Sequence, residues 1–376
     1  MSNILNKLKK KLAERAAQGN LRALKTTTGL VDFCSNDYLG LARSKKLRKL
    51  IRQEEDKYTS LPLGATGSRL LSGNHLLFEE LESIIAAYHK GKAALLYNSG
   101  YMANVGLLSA LPQRGDTVFY DEASHASMKD GLRLSFAKSY SFRHNDVADL
   151  QQKLKLATGQ VYVIVESVYS MGGDKAPLED LAILCEKHNA ALIVDEAHAL
   201  GLYGEKGEGL TVALGLQDKV FAQVITYGKA MGNHGAAIVA PNVLRDYLIN
   251  YSRAFIYTTG LPTHNLIALK CAYSLLPELT KEREHVKQLA RQLQENLNKI
   301  PSIMCPSSDS VILSVFTEDV AQLKPLALYL QQKSFDVRPV MSPTVPIGKE
   351  RLRVIVHAYN TEEEIVGLVQ AITNHL

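Results

Sequence analysis

Five short stretches of this chain end in residues that can move protons, hold anions or attack carbonyls. Asn98-Ser99-Gly100-Tyr101 follows the apolar run 93–97, and Asp121, Glu122, Ser124 and His125 follow 117–120. Glu166, Ser167 and Ser170 follow 161–165 and lead into Gly172-Gly173-Asp174. Asp195, Glu196 and His198 follow 190–194, and Thr226, Gly228 and Lys229 follow 220–225. A lysine amine becomes a nucleophile and base when burial lowers its pKa. A carboxylate can keep a ring nitrogen protonated, an imidazole can stack on a ring or bond to its hydroxyl, and amides at a helix N-terminus can hold a phosphate.

Each residue alone has a plainer reading. An Asp directly after a strand usually caps a helix. Single histidines such as His125 and His198 are mostly structural or surface residues, and Ser99-Gly100 and Gly172-Gly173 read as turns. A lone Lys229 would point into solvent. Together they are the parts of a pyridoxal phosphate (PLP) site, with Lys229 as the Schiff-base amine and Asp195 against the pyridine nitrogen. A metal site built on Asp195 and His198 lacks a tight third ligand, so no metal is expected. No Gly-x-Gly-x-x-Gly follows a strand, which disfavours a dinucleotide.

The elements that must position these residues are legible as an alternation. Residues 76–88 repeat apolar positions at helical spacing, with Gly91 as a stop. The runs 93–97, 117–120, 161–165, 190–194, 220–225 and 236–240 are mostly unbroken, as strands covered on both faces require. Residues 178–187 supply a crossover helix. This predicts an α/β fold with a mostly parallel central sheet, in which ligands bind at the carboxyl ends of the strands. The last hundred residues predict a helix at 278–299, a strand at 311–315, a helix at 319–333, a strand at 352–356 and a helix from 361. The expected division is an N-terminal helical arm (1–45), a large α/β domain (46–277) and a small C-terminal α+β domain (278–376).

At 376 residues, 46% hydrophobic and 22% charged, the chain has ordinary globular composition. Its net charge of +5 comes from 43 basic and 38 acidic residues. These are intermixed, and the Lys-Leu-Lys-Lys-Lys run at 7–11 reads as a solvated helix face. No nucleic-acid partner is expected. Cys34, Cys185, Cys271 and Cys305 form no CxxC pair, which fits a reducing compartment. With no apolar run of spanning length and no signal-like N-terminus, a cytoplasmic protein without membrane contact is expected.

Longer motifs carry a resemblance over nearly the whole chain. They are SNDYLGL (35–41), GATGSRLLSGNH (64–75), NSGYMAN (98–104), SHAS (124–127), ESVYSMGGD (166–174), VDEAH (194–198), TYGKAMG (226–232), YTTGLP (257–262) and SPTVP (342–346). The chain resembles the α-oxoamine synthase family, PLP enzymes of fold type I. The resemblance implies that Lys229 holds the cofactor and removes the Cα proton. It implies that Asp195 pairs with the pyridinium nitrogen, His198 meets the ring hydroxyl and His125 stacks on the ring beside the substrate. Gly100, Tyr101, Ser170 and Thr226 would surround the cofactor, and Glu166 and Asn36 would line the site. Arg353 would bind the amino-acid carboxylate, Thr344 would touch substrate and Arg22 would contact the acyl side. The family's sites lie at a homodimer interface, where Thr258 or Thr259 would reach the neighbouring subunit's phosphate.

The implied reaction is the decarboxylative condensation of an amino acid with an acyl thioester carried by coenzyme A or an acyl-carrier protein. GSRLLSGN (67–74) and GNHGAAI (232–238) are most similar to the branch that joins L-alanine to a pimeloyl thioester on the path to biotin. The alternative is a glycine- or serine-using branch. A catalytically silent partner subunit would tolerate loss of the lysine, which is present. Many members of the alanine branch carry an arginine where this chain has Met341-Ser342, which implies a different contact for the acyl chain's far end or another acyl group.

Overall fold

The unbroken apolar runs become strands because both of their faces are covered. The computed structural model describes residues 2–19, 21–24, 26 and 28–376. Seven strands form the central sheet: β1 (Ala93–Tyr97), β2 (Thr117–Asp121), β3 (Lys138–Phe142), β4 (Val161–Glu166), β5 (Ala190–Asp195), β6 (Ala222–Thr226) and β7 (Ala236–Ala240). Their order is β1-β7-β6-β5-β4-β2-β3. All neighbours are parallel except β7, which runs antiparallel to both β1 and β6. Alternate strand residues divide between two cores: Val163, Val165, Leu192 and Val194 pack on one face, and Tyr162, Ile164, Ile193 and Val224 on the other. Helices on each face complete a layered α/β structure.

Two differences from the sequence reading concern strands. Asp121, Glu166, Asp195 and Thr226 are the final residues of their strands rather than the first residues of loops. The ladder extends through them, since Glu166 is the register partner of Asp195. The strand Lys138–Phe142 was not expected. It lies at the sheet edge with its first residues exposed, so its sequence, KSYSF, lacks an apolar signature.

The C-terminal part holds a four-stranded sheet in the order Arg338–Val340, Arg351–Ile355, Ile312–Thr317, Ile303–Met304. The helices Thr280–Leu297, Leu323–Gln332 and Glu362–His375 pack with it. The short strand Val31–Asp32 pairs in parallel with Phe335–Asp336. Backbone bonds from Ile355 N–H to Phe33 O (2.9 Å) and from Ala358 N–H to Tyr38 O (2.8 Å) extend that contact. The segment carrying Asn36 and Tyr38 is therefore held by the C-terminal end of the chain. No helix among the described residues is long and apolar enough to cross a membrane.

Candidate active site

A cavity of about 240 Å³ opens at the carboxyl ends of the central strands. From the β1 end come Gly100 and Tyr101, from the β2 end His125, and from β4 and β5 Glu166, Asp195 and His198. Thr226 enters from the end of β6 and Lys229 from the turn after it, and Asn36 enters from the N-terminal segment. The chain reverses between β6 and β7 through Tyr227 N–H to Gly235 O (3.0 Å) and Asn233 N–H to Tyr227 O (2.9 Å). Gly232 makes that reversal possible. Its φ is +57°, and a Cβ there would lie 2.1 Å from the Ala42 backbone nitrogen. This turn projects Lys229 into the cavity.

The lysine amine has no salt-bridge partner among the described residues; its nearest polar contact is Thr226 Oγ1 at 3.5 Å. Burial depresses its pKa, against the opposing pull of the Asp195 and Glu166 carboxylates. Lys229 keeps part of its surface open to the cavity, so water tempers that shift. Asp195 is held at both oxygens: Oδ1 accepts Ala197 N–H (2.9 Å) and Oδ2 accepts the Asn104 amide (2.8 Å). Beside it, burial first and the Asp195 charge second push Glu166 up to about 8. Glu166 Oε1 accepts His125 N–H at 2.7 Å. His125 caps the helix Ala126–Leu134 through Nδ1 and stands exposed at the cavity mouth.

Ser99 caps the helix Gly100–Ala110 by accepting Met102 N–H at 3.2 Å. The start of this helix faces the cavity, where its free amides and dipole suit a phosphate. At Gly100 a side chain would collide with Thr226, since a Cβ would stand 2.5 Å from Cγ2. An amine without a counter-ion, a buried carboxylate with capacity for a further donor, and a helix N-terminus converge on one space. That donor set fits PLP.

Several expected residues do not line this cavity. Arg353 is bound to the lining residue Asn36: Nη2 donates to Asn36 Oδ1 (3.0 Å) and Nε to Ser170 O (2.7 Å). Ser170 thus meets the arginine through its carbonyl. Thr258 lines a second, smaller cleft with Arg69 and Phe78, and Asn98 donates to Thr258 Oγ1 (3.2 Å) and Thr259 O (2.8 Å). Thr344 lies exposed on the loop after Met341, and Arg22 lies exposed beyond the first helix.

The sequence reading missed Asn104, Ser127, Tyr38 and His234. Asn104 and Ser127 sit under Asp195, joined at 3.1 Å, and Tyr38 lies 2.6 Å from His198 Nδ1. His234 adds an exposed imidazole to the rim. Asn104 did carry a signal. It is a polar residue inside the apolar helix stretch Ala103–Leu108, and such a residue must find a buried partner.

Comparison with known proteins follows the same geometry. Residues 28–372 match the aminotransferase class I and II family. An 8-amino-7-oxononanoate synthase of Emericella nidulans is 41% identical over 92% of this chain and 89% of its own length. Among solved structures, Sphingomonas wittichii serine palmitoyltransferase superposes with a TM-score of 0.91 at 27% identity, covering 99% of this chain and 97% of that one. A serine palmitoyltransferase solved with PLP superposes with a TM-score of 0.90 at 27% identity, covering 99% and 98%. The chain belongs to the aminotransferase class I and II family, as a PLP-dependent acyltransferase of fold type I similar to the 8-amino-7-oxononanoate synthases.

Proposed function

We propose that the chain condenses L-alanine with a pimeloyl thioester, releasing CO₂ and the free thiol and giving 8-amino-7-oxononanoate for biotin synthesis. The observation that carries this reading is the convergence of Lys229, Asp195, His198 and His125 on one cavity, with the Arg353 guanidinium bound to the lining residue Asn36. The 41% identity with the Emericella nidulans synthase supports the choice of branch.

PLP bound here supplies a ring that accepts the electrons of a carbanion at the amino-acid Cα. Asp195 would hold a proton on the ring nitrogen, and the amides of the Gly100–Ala110 helix with Thr226 would hold the phosphate. Arg353 would grip the substrate carboxylate with its planar guanidinium. Lys229 Nζ, with its pKa lowered, would take the Cα proton. A bond then forms between Cα and the thioester carbonyl carbon, and the thiolate leaves. After the carboxylate departs as CO₂, a proton returns to Cα. Thr258 and Thr259 lie outside the cavity of one chain, which suits a homodimer in which they serve the partner's site.

The test is a product assay with L-alanine, glycine and L-serine against a panel of acyl thioesters on coenzyme A and on acyl-carrier protein. Product from L-alanine and pimeloyl thioester alone supports the reading. Turnover with glycine or serine but not alanine sinks it and favours the other branches, toward which the serine palmitoyltransferase superposition points.

A further inference from the structure

Lys229 is aimed by its turn rather than by partners of its amine, whose one hydrogen bond among the described residues goes to Thr226 Oγ1 at 3.5 Å. Both flanks of that turn rest on a single helix, Thr263–Leu275. Before the lysine, the hydroxyl of Tyr227 lies 3.2 Å from that of Tyr273. After it, Asn233 Oδ1 accepts the side-chain amide of Asn265. That oxygen also accepts His234 N–H at 2.9 Å, so the group facing it on Asn265 must be the NH₂. Asn265 and Tyr273 stand about two turns apart along the helix.

The Tyr273 contact continues inward. Its hydroxyl also lies 2.9 Å from Nε2 of His89, the residue that ends the helix Leu76–Tyr88. His89 Nδ1 lies 2.8 Å from the Glu208 carbonyl oxygen, which can only accept, so Nδ1 carries a hydrogen and the ring is held from its far side. Tyr227, Tyr273 and His89 are all buried. Among the described residues, the Tyr273 hydroxyl is the sole hydrogen-bond partner of both the Tyr227 hydroxyl and His89 Nε2. A hydroxyl can give one bond and accept another at once, so it serves both. Neither Tyr227, Tyr273, His89 nor Asn265 lines the cavity, and the proposed chemistry uses none of them.

We propose that Tyr273 and Asn265 are positioning residues that clamp the turn from Tyr227 to Gly235 and so hold the Lys229 amine at its working place in the cavity. Buried hydroxyls are a costly filling for a core that phenylalanine could fill, because each must find a partner. Here the partnered phenol is the one whose backbone closes the turn: Tyr227 N–H donates to Gly235 O, and Tyr227 O accepts Asn233 N–H. That Lys229 is the reacting amine rests on the function proposed above. The clamp on the turn does not.

The first readout needs no cofactor. Amide hydrogen exchange in the apoprotein is followed by mass spectrometry in a peptide covering 227–235 and in one covering 190–195. Tyr273→Phe keeps the ring and removes the hydroxyl. Exchange in 227–235 should become roughly five- to tenfold faster, as loss of one buried hydrogen bond implies, with 190–195 unchanged. Unchanged exchange in 227–235, or equal acceleration of both peptides, overturns the clamp. Should Tyr273→Phe fail to fold, Asn265→Ala is read by the same criteria. The second readout is kinetic, after PLP loading. In Tyr273→Phe, kcat with L-alanine and pimeloyl thioester should fall roughly 10- to 100-fold while both KM values stay within a few-fold, because the amine is misplaced and the substrate contacts are not. An unchanged kcat overturns the link to Lys229. If the unsubstituted loaded protein shows no visible band that borohydride bleaches, or makes no product from L-alanine, the function proposed above fails, while the exchange result still decides the clamp.

Discussion

Glu166 and Asp195 end adjacent parallel strands as register partners, both buried and both facing Lys229 across one cavity. A buried carboxyl beside a second carboxylate resists ionisation, and here it is Glu166 that does so. Asp195 receives an N–H on each oxygen, whereas Glu166 gives way and is raised to about 8. At neutral pH Glu166 is mostly a neutral acid beneath the site.

This gives a sign for stability. Glu166 binds its proton more tightly folded than unfolded, where its pKa is near 4.3. Its contribution to the apoprotein is therefore favourable at low pH and falls as pH rises from about 4.5 to about 8. Glu166→Gln keeps a neutral group there and should flatten the slope. Urea denaturation of both apoproteins at pH 5 and pH 8 measures it; equal slopes refute the assignment.

His144 carries the opposite arrangement. Its Nδ1 lies 2.9 Å from Asp121 and its Nε2 lies 2.6 Å from Asp174. Burial alone would lower its pKa, but the two carboxylates outweigh it and raise it to about 10. The imidazolium's stabilisation is complete below the unfolded value near 6.5 and is lost as pH climbs toward about 10. His144→Gln should cost about 1–3 kcal/mol at pH 6 and much less at pH 10. A pH-independent cost would show that packing against Tyr169, not charge, is what matters.

Arg353 is held by Asn36 Oδ1 and the Ser170 carbonyl, which fixes the plane of its guanidinium. Lysine cannot reproduce a two-point grip. Arg353→Lys should lose about 2–3 kcal/mol of amino-acid binding, a rise of roughly 30- to 150-fold in KM for L-alanine. The KM for the acyl thioester should stay within a few-fold. Steady-state kinetics with each substrate varied in turn separates the two, and a rise confined to the thioester contradicts the role.

A Cβ at Gly100 would stand 2.5 Å from Thr226 Cγ2. Gly100→Ala must move the helix start or the threonine, at a cost of about 1–3 kcal/mol. A lower melting temperature and weaker PLP binding, read by absorbance titration, are expected together. Unchanged PLP affinity despite a lower melting temperature would remove this helix from phosphate binding.

How much was legible beforehand follows from where the physical signal lies. The inner strands announce themselves because burial on two faces demands unbroken apolar runs such as 161–165. The edge strand Lys138–Phe142 has no such demand and hides among polar residues. Lys229, Asp195, His125 and His198 could be grouped from the sequence, and line one cavity, because a parallel sheet collects whatever lies at its strand ends. Asn104 and Tyr38 could not, because they act through contacts 91 and 160 residues away in sequence, which no local spacing encodes. Arg22 and Thr344 came from motif likeness alone and lie exposed outside the cavity of the single chain.

The pairing of Val31–Asp32 with Phe335–Asp336 bears on how the chain is made. Asn36 and Tyr38 are synthesised well before the backbone that holds them, from Ser334 to Ala358. During translation the strand ends bearing Asp195 and Lys229 exist long before Tyr38 has anything to lean on. A nascent chain not yet extended to Ala358 lacks the backbone that holds the wall adjoining His198, so this wall forms after the strand ends it faces.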